Sequence, residues 1–318
     1  MKINLGIIMD PISSINTKKD SSFSMLLEAQ NRNYKIYYME LQDLYLDNDQ
    51  PYSKTKLLKL KKNEKKWFEL KNTKDILLSD LHVILMRKDP PINREYIYCT
   101  YILEKAEKHG CYIINQPSSL RNFNEKLFTL LFPKYIPHTL MTSNSMKIYN
   151  FIKTHKDIIL KPLHGMGGMS IFRIKNNDPN TTVIIETLTK NNTKFCIAQT
   201  YISDIEKGDK RILIINGKPF PWCLARIPKK FENRGNLSAG GYGKVQKLST
   251  HDWKIALSIA PILKENRIFF SGIDIIGDKL TEINITSPTC IQEIESFTKI
   301  SICKIFFDNL ENKLNKTS

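Results

Sequence analysis

Two carboxylates and an amide stand close together in SGIDIIGDKLTEINITSPT, Ser271–Thr289: Asp274, Glu282 and Asn284. Oxygen donors of this kind suit Mg²⁺, which takes one or two carboxylates and completes its shell with water and substrate phosphates. Ile273, Ile275, Ile283 and Ile285 alternate with polar residues around Gly277-Asp278, the pattern of a hairpin. A two-residue turn would pair Ile273 with Glu282 and set Asp274 among the isoleucines. A three-residue turn, Gly277-Asp278-Lys279, pairs Asp274 with Glu282 and Ile273 with Ile283, and is the turn expected. One face is then apolar and the other carries the donors. The same alternation also fits a hairpin whose polar face meets only water.

Other residues of chemical interest lie upstream. DIILK, Asp157–Lys161, reads as a strand ending in Lys161-Pro162. The segment His164-Gly165-Met166-Gly167-Gly168-Met169-Ser170 then leads into a second strand, Ile171–Ile174. Backbone N–H groups of a glycine-rich connection can approach an anion closely, as in phosphate-binding nests. No Gly-Lys-Ser/Thr follows and no helix opens there, so the loop is neither a Walker A loop nor a dinucleotide fingerprint. Standing alone, it would read as a plain hairpin turn. Phe195–Ile202 is an apolar strand with Gln199 as its polar exception. Arg211 and Arg226 sit on two further strands, Lys210–Ile215 and Pro219–Ile227, facing either anions or water. Pro228–Lys247 is charged, glycine-bearing and aperiodic, the character of a lid, a binding loop or a disordered segment.

The elements that must position these residues follow from the order of the chain. Ile3–Met9, Tyr34–Met39, Leu81–Met86 and Tyr112–Asn115 read as strands. Helices are expected from Asp20 or Ser21 to about Arg32 and over Glu95–His109. This alternation predicts a small parallel sheet with helices on both faces. Ligands of such sheets gather beyond the carboxyl ends of the strands, which puts Asp10 and Arg87 at a candidate substrate mouth. For Arg87 alone, an exposed loop charge is the simpler reading. Gln42–Asp80 reads as a lysine-rich surface excursion, partly structured at Trp67-Phe68. Ser118–Phe132, Asp252–Asn266 and Gln292–Asn315 each read as one helix. The division expected is an N-terminal α/β domain over 1–122, a central subdomain over 123–203 and a C-terminal α+β subdomain over 204–318.

With 318 residues, 41% of them hydrophobic, the chain is long enough for two or three folded units. No apolar run approaches the ~20 residues of a membrane span, and MKINLGIIMDP meets Asp10-Pro11 too early for a secretory signal. Six cysteines without a C-x-x-C pair argue against a zinc site and a disulfide framework, so a reducing cytoplasmic setting is expected. The net charge of +16 is densest in Lys54–Lys74 and comes without any nucleic-acid-binding pattern. It fits attraction of small anionic substrates better than specific nucleic-acid binding.

Taken together, the motifs resemble one family. MDPI (Met9–Ile12), KKDSSF (Lys18–Phe23), LLEAQ (Leu26–Gln30), MRKDPP (Met86–Pro91) and NEKLF (Asn124–Phe128) belong to its pattern. So do ILKP (Ile159–Pro162), GMGG (Gly165–Gly168), GDKR (Gly208–Arg211), LARIP (Leu224–Pro228), RGNL (Arg234–Leu237) and DIIGDKLTEIN with TSPTCI across Asp274–Ile291. The chain resembles the bacterial glutathione synthetase family of ATP-grasp ligases from its first residues to its last helix. That resemblance implies an ATP-grasp fold behind the small parallel-sheet domain. It implies Lys126 and Lys161 on ATP phosphates, Gly165, Met166, Gly167 and Gly168 as the phosphate-covering loop, Gln199, Thr200 and Tyr201 at adenine and Asp209 near ribose. Asp274, Glu282 and Asn284 match its metal ligands, for Mg²⁺ or alternatively Mn²⁺. Arg87, Arg226, Ser287, Pro288 and Thr289 fall in its peptide-substrate site, Arg211, Arg226 and Arg234 among its catalytic cations, and 228–243 on its mobile lid. One position departs: the family carries arginine in the third place of the lid's Gly-Gly-x-Gly segment, where this chain has Tyr242.

The reaction implied is amide-bond formation driven by ATP. γ-Glutamylcysteine is phosphorylated on its C-terminal carboxylate, and glycine then displaces phosphate from the acyl phosphate. Family membership also implies a homo-oligomer, a tetramer. The rival readings are another ATP-grasp carboxylate–amine ligase and, from a different class, a basic nucleic-acid-binding protein.

Overall fold

The computed structural model describes residues 2–61, 66–230, 232 and 234–317. Part of the lysine-rich run and two residues of the expected lid, Phe231 and Asn233, therefore lie outside the described residues. The strand Asn4–Ile8 lies between Lys35–Met39 and Val83–Met86, parallel to both, and Tyr112–Ile114 adds to Val83–Met86. These strands are apolar almost throughout because both faces are covered. Leu5, Ile7 and Leu85 pack with Met25 and Leu26 of the helix Ser21–Asn31. Ile8, Ile84 and Met86 pack on the other side with Tyr96 and Leu103 of the helix Arg94–Lys108. Asp20 caps the first helix, its carboxylate accepting from Phe23 N at 2.7 Å, and Asn93 caps the second.

Gln42–Asp80 is not a loose excursion. It supplies strands Leu44–Asp47, Gln50–Leu60 and Phe68–Leu77, which extend the same sheet antiparallel beyond Lys35–Met39 to seven strands. The alternation was disguised because several inward positions of Gln50–Leu60 are small and polar. Ser53 and Thr55 are buried beside Leu58 and Leu60, while Lys54 and Lys59 point outward. Trp67 packs edge-on against Phe23 of the first helix.

Ser118–Phe132 is not one helix either. A helix Pro117–Asn122 and a 3-10 turn Leu127–Leu131 are separated by a break at Glu125. There Glu125 O accepts from Ile283 N, and its carboxylate accepts from Ile285 N, Thr286 N and Thr286 Oγ1 at 2.8–3.1 Å. Tertiary bonds to the end of the hairpin win over local helix propensity at this point. The C-terminal helix is likewise two, Ile291–Thr298 and Ile302–Thr317, broken at Lys299 with φ +58°. Glu295 accepts from Cys303 N and caps the second of them.

Two antiparallel sheets complete the chain. One is ordered Phe172–Lys175, Asp157–Pro162, Cys196–Thr200, Thr139–Thr142, with helices Ser145–His155 and Thr181–Thr189 packed on it. The strand Thr139–Thr142 and these two helices had no reading in the sequence. The other sheet is ordered Tyr242–Lys247, Lys218–Ile227, Asp209–Ile215, Phe270–Ile276, Lys279–Asn284. Its first strand shortens the expected long loop, since Tyr242–Lys247 pairs with Lys218–Ile227. In the hairpin Asp274 faces Glu282 and Ile273 faces Ile283, as expected. The turn differs: Ile276 faces Lys279, so Gly277-Asp278 is a two-residue turn. The odd residue is absorbed by a register shift at Thr281, whose Oγ1 donates to Asp274 O.

Packing divides this fold unequally. The N-terminal and C-terminal sheets share their cores: Ile84 and Leu103 belong with Ile273, Ile283 and Ile255, and Leu5 and Val83 with Leu213 and Phe306. The central sheet has its own core of Ile148, Ile158, Leu160, Ile174 and Ile185. Asn115 stitches the two large sheets together. Its buried side chain donates to Phe270 O at 2.7 Å and Ile285 O at 2.6 Å and accepts from Phe270 N at 2.9 Å. Asn115→Ala leaves three buried backbone groups without partners and should cost roughly 2–4 kcal/mol. Urea unfolding followed by tryptophan fluorescence measures it, and a loss below about 0.5 kcal/mol would contradict this role.

Candidate active site

The register of the five-stranded sheet sets charged residues side by side. Arg211 lies opposite Asp274, Asp274 opposite Glu282, and Asp209 opposite Arg226. Asp274 Oδ2 accepts from Arg211 Nη2 at 3.0 Å and pairs with Arg226 Nη2 at 2.9 Å, and Asn284 Nδ2 donates to it at 3.1 Å. Arg226 also pairs with Asp209. Asp209, Arg211, Arg226 and Asp274 are all buried. Burial works against the charged form of Asp274, but Arg211 and Arg226 outweigh it and hold the carboxyl down at about 2. Asp209 goes the other way. Burial raises it to about 6 against the pull of Arg226, with Asp274 adding to the rise. Its Oδ1 has no hydrogen-bond partner among the described residues.

Glu282 is more open. Its Oε1 meets Lys126 Nζ at 3.0 Å, and Lys126 reaches on to Gly165 O at 3.3 Å. Behind it stands the half-buried Glu125, its carboxyl raised first by burial and then by Glu282. Lys161, from the facing sheet, is buried with no carboxylate in ion-pair range among the described residues. Burial, helped by Lys126, lowers it to about 8 although Glu282 and Asp209 pull it up.

The glycine loop closes this space from above. Gly167 and Gly168 have φ of +66° and +79°, a region open to glycine at little cost. A Cβ on Gly168 would stand 2.6 Å from Asn236 Oδ1 and 2.9 Å from Arg234 Cδ, and one on Gly167 2.9 Å from Ser238 Oγ. The lid segment therefore lies directly against the loop. Arg234 is paired with Glu232 and reaches Gly168 O at 3.4 Å.

Two adjoining pockets result. The first is lined by Lys126, Lys161, Gly165–Gly168, Gln199, Thr200, Tyr201, Asp209, Asp274 and Glu282, with Arg234 from the lid. Every residue that the sequence assigned to ATP thus faces one space. The second is lined by Arg211, Arg226, Glu282, Asn284, Ser287 and Thr289, together with Asn236 and Ser238 of the lid. Glu282, Gly165–Gly167 and Asn236 belong to both walls.

Arg87 and Pro288 are not among the lining residues of either pocket. Arg87 is buried, donating from Nε to Ser22 Oγ at 3.0 Å and from Nη2 to Pro288 O at 2.9 Å. It ties the N-terminal domain to the segment after the hairpin and is not an exposed loop charge. Asp10 likewise holds the Arg87–Pro91 loop, accepting from Asp89 N and pairing with Lys88. Sequence reasoning missed Glu125, Asn236, Thr286 and Cys290 as neighbours of the second pocket. Each lies in a motif quoted above without being singled out: Glu125 in NEKLF, Asn236 in RGNL, and Thr286 and Cys290 in TSPTCI.

Two antiparallel sheets that face each other across a lysine-lined pocket, with a glycine loop and an acidic hairpin, define an ATP-grasp ligase. The solved structure of the D-cycloserine synthetase DcsG shares the fold at a TM-score of 0.67 and 11% identity, over 98% of this chain and 100% of that one. So does the ATP-grasp ligase PsnB complexed with minimal precursor, Mg and ADP, at 0.62 and 13%, over 98% of each chain. Sequence families narrow the class: the prokaryotic glutathione synthetase N-terminal domain matches residues 3–121, and the ATP-grasp domain of the same family residues 125–299. The glutathione synthetase of Buchnera aphidicola subsp. Baizongia pistaciae is 74% identical over 99% of this chain and 98% of its own. That of Vibrio parahaemolyticus is 57% identical over 98% and 99%, and that of Escherichia coli O127:H6 55% over 99% of each. The chain belongs to the prokaryotic glutathione synthetase family.

Lys161 makes anion binding in the first pocket depend on pH. A lysine lowered to about 8 is charged below that pH and must take up a proton to meet an anion above it. Affinity for a non-hydrolysable ATP analogue should therefore fall by up to about tenfold per pH unit above 8. In Lys161→Arg, which stays charged, the slope should flatten. Calorimetric titration between pH 7 and 9.5 measures both, and parallel slopes would exclude Lys161 as the group responsible.

Proposed function

We propose that this chain joins γ-glutamylcysteine to glycine, forming glutathione while ATP is cleaved to ADP and phosphate. The observation that carries the site assignment is the shared wall of Glu282, the glycine loop and Asn236, where a γ-phosphate from one pocket would meet a carboxylate from the other. In the first pocket Gln199–Tyr201 take the adenine, the unpartnered Oδ1 of Asp209 suits a ribose hydroxyl, and Lys126, Lys161 and the loop amides of Gly165–Gly168 hold the phosphates. In the second, Arg211, Arg226, Ser287 and Thr289 receive the dipeptide. Arg87 and Pro288 act from behind by fixing the segment that carries Ser287 and Thr289.

The dipeptide's C-terminal carboxylate attacks the γ-phosphorus, its oxygen bonds to phosphorus, and the bond to ADP breaks. The glycine amine then attacks the acyl carbon, loses a proton, and phosphate leaves with the C–O bond. Such phosphoryl transfer asks for positioning and charge neutralisation more than for covalent help. Lys126, Lys161, Arg211, Arg226 and Arg234 supply positive charge around the shared wall. Asp274, Glu282 and Asn284 fit Mg²⁺ or Mn²⁺: they offer oxygen donors on one face, with Glu282 open to both pockets. A bound ion there would neutralise the β- and γ-phosphates. Asp274 is already met by two guanidiniums, so Glu282 is the principal donor of the set.

The acyl phosphate must be kept from water until glycine arrives. Arg234, Asn236 and Ser238 of the lid pack on the glycine loop, which suits the segment for that task. Tyr242, exposed at the start of the edge strand, stands where the family has arginine, and Arg234 supplies lid charge in its place. The three units 1–122, 123–203 and 204–318 are proposed as substrate domain and two halves of an ATP clamp. Six free, buried cysteines support a reducing cytoplasm, and a tetramer is the family expectation. Among the described residues no helix is long and apolar enough to cross a membrane.

Glu282→Gln should lower turnover at least about a hundredfold while the unfolding midpoint stays near wild type. Phosphate release from ATP with γ-glutamylcysteine and glycine measures it, and near-normal turnover would remove Glu282 from the reaction. Replacing residues 231–242 by a short Gly/Ser bridge should raise the ADP formed per glutathione well above one. A ratio that stays at one with normal turnover would reduce the lid to a surface loop.

A further inference from the structure

Asp157, Arg173 and Tyr201 form a closed set at the edge of the nucleotide pocket. Tyr201 follows the strand Cys196–Thr200 and lines the pocket. Its N–H donates to Asp157 O at 3.0 Å. Arg173, on the strand Phe172–Lys175, lays its guanidinium over the Tyr201 ring, with Cζ 3.5 Å from the ring centroid. The carboxylate of Asp157 grips that guanidinium at two points, Nε to Oδ1 at 2.9 Å and Nη2 to Oδ2 at 2.6 Å. Arg173 itself is not among the pocket's lining residues.

Each bond removes one freedom. The two-point carboxylate contact fixes the plane of the guanidinium, and the stacked guanidinium fixes the face of the ring. The backbone bond fixes where the chain leaves the strand. Tyr201 stands where the central sheet ends and the chain turns, through Ser203–Lys207, toward the strand Asp209–Ile215 of the other sheet. The ring at that junction is met by Arg173 of the strand Phe172–Lys175. A side chain that stacks on the ring without lining the pocket can shape the wall and cannot take part in the chemistry.

We propose that Arg173 is a positioning residue for the nucleotide: held by Asp157, it fixes the Tyr201 ring as a wall of the adenine compartment and thereby sets the affinity for ATP. This rests on the assignment of Gln199–Tyr201 to adenine. Arg173→Ala should raise KM for ATP about three- to tenfold, the range of a partly exposed cation–π contact. kcat and KM for γ-glutamylcysteine should stay the same, since the second pocket is untouched. Arg173→Lys should behave much like the alanine variant, because an ammonium offers neither the plane nor the two-point grip.

Steady-state kinetics on Arg173→Ala, Arg173→Lys, Tyr201→Leu and the double variant Arg173→Ala/Tyr201→Leu, with unfolding midpoints alongside, test this. If Arg173 acts through the ring, the double variant has the KM for ATP of Tyr201→Leu alone. Multiplying effects in the double variant overturn the inference, as does full rescue by lysine. So does a parallel decline of kcat, both KM values and the midpoint, the mark of a merely structural pair. An unchanged KM for ATP in Tyr201→Leu overturns instead the adenine assignment. A raised KM in Tyr201→Leu with a normal one in Arg173→Ala overturns the inference and leaves that assignment standing.

Discussion

Two guanidiniums and two carboxylates, Arg211, Arg226, Asp209 and Asp274, are buried together on one face of the C-terminal sheet, and the rest of the site hangs on their pairing. Isolated buried charges are costly, and removing one partner of such a set strands the others. The arrangement is tolerable because three adjacent strands bring opposite signs into direct register. It constrains the hairpin as well. Asp274 can meet Arg211 only if Phe270–Ile276 keeps its register against Asp209–Ile215, and that register also decides where Glu282 points.

The pairing divides labour between the two hairpin carboxylates. Asp274 is saturated by arginines and held ionised at low pH, so it serves first as a fixed negative charge within the sheet. Glu282 has only Lys126 as an ion-pair partner among the described residues and faces both pockets. Glu125, half-buried behind it, is spent on Ile285 and Thr286, which anchors the end of the hairpin at the second pocket. Three acidic residues within a small volume thus have three different jobs, set by what each one touches.

Packing also separates what is rigid from what can move. The N-terminal and C-terminal sheets share their apolar clusters and are tied by Asn115 and Arg87. The central sheet is packed on its own residues and meets the rest across the nucleotide pocket, the glycine loop and the lid. A unit with its own core can shift as a body without opening apolar surface. Lys161 and Tyr201 would travel with it, whereas Asp209 and the hairpin would stay.

Much of the site was legible in the sequence because short-range patterns carry it. Alternation of isoleucine with Asp274, Glu282 and Asn284 determined a two-faced hairpin. The glycines at 165, 167 and 168 determined a loop able to take positive φ, and the spacing of apolar runs determined the parallel strands of the N-terminal sheet. Three other features were decided only by tertiary contacts. Gln50–Leu60 became a sheet strand because Ser53 and Thr55 found a buried face that their polarity concealed. The helix expected over Ser118–Phe132 broke because the backbone and carboxylate of Glu125 met Ile283, Ile285 and Thr286, some 160 residues away in sequence. Arg87 became an internal tie because Pro288 offered its carbonyl where the sheet's mouth had suggested a ligand. Local pattern specifies which way a side chain faces along its own strand or helix. What it meets there depends on partners that are distant in the chain, and only the packed structure brings those partners within reach.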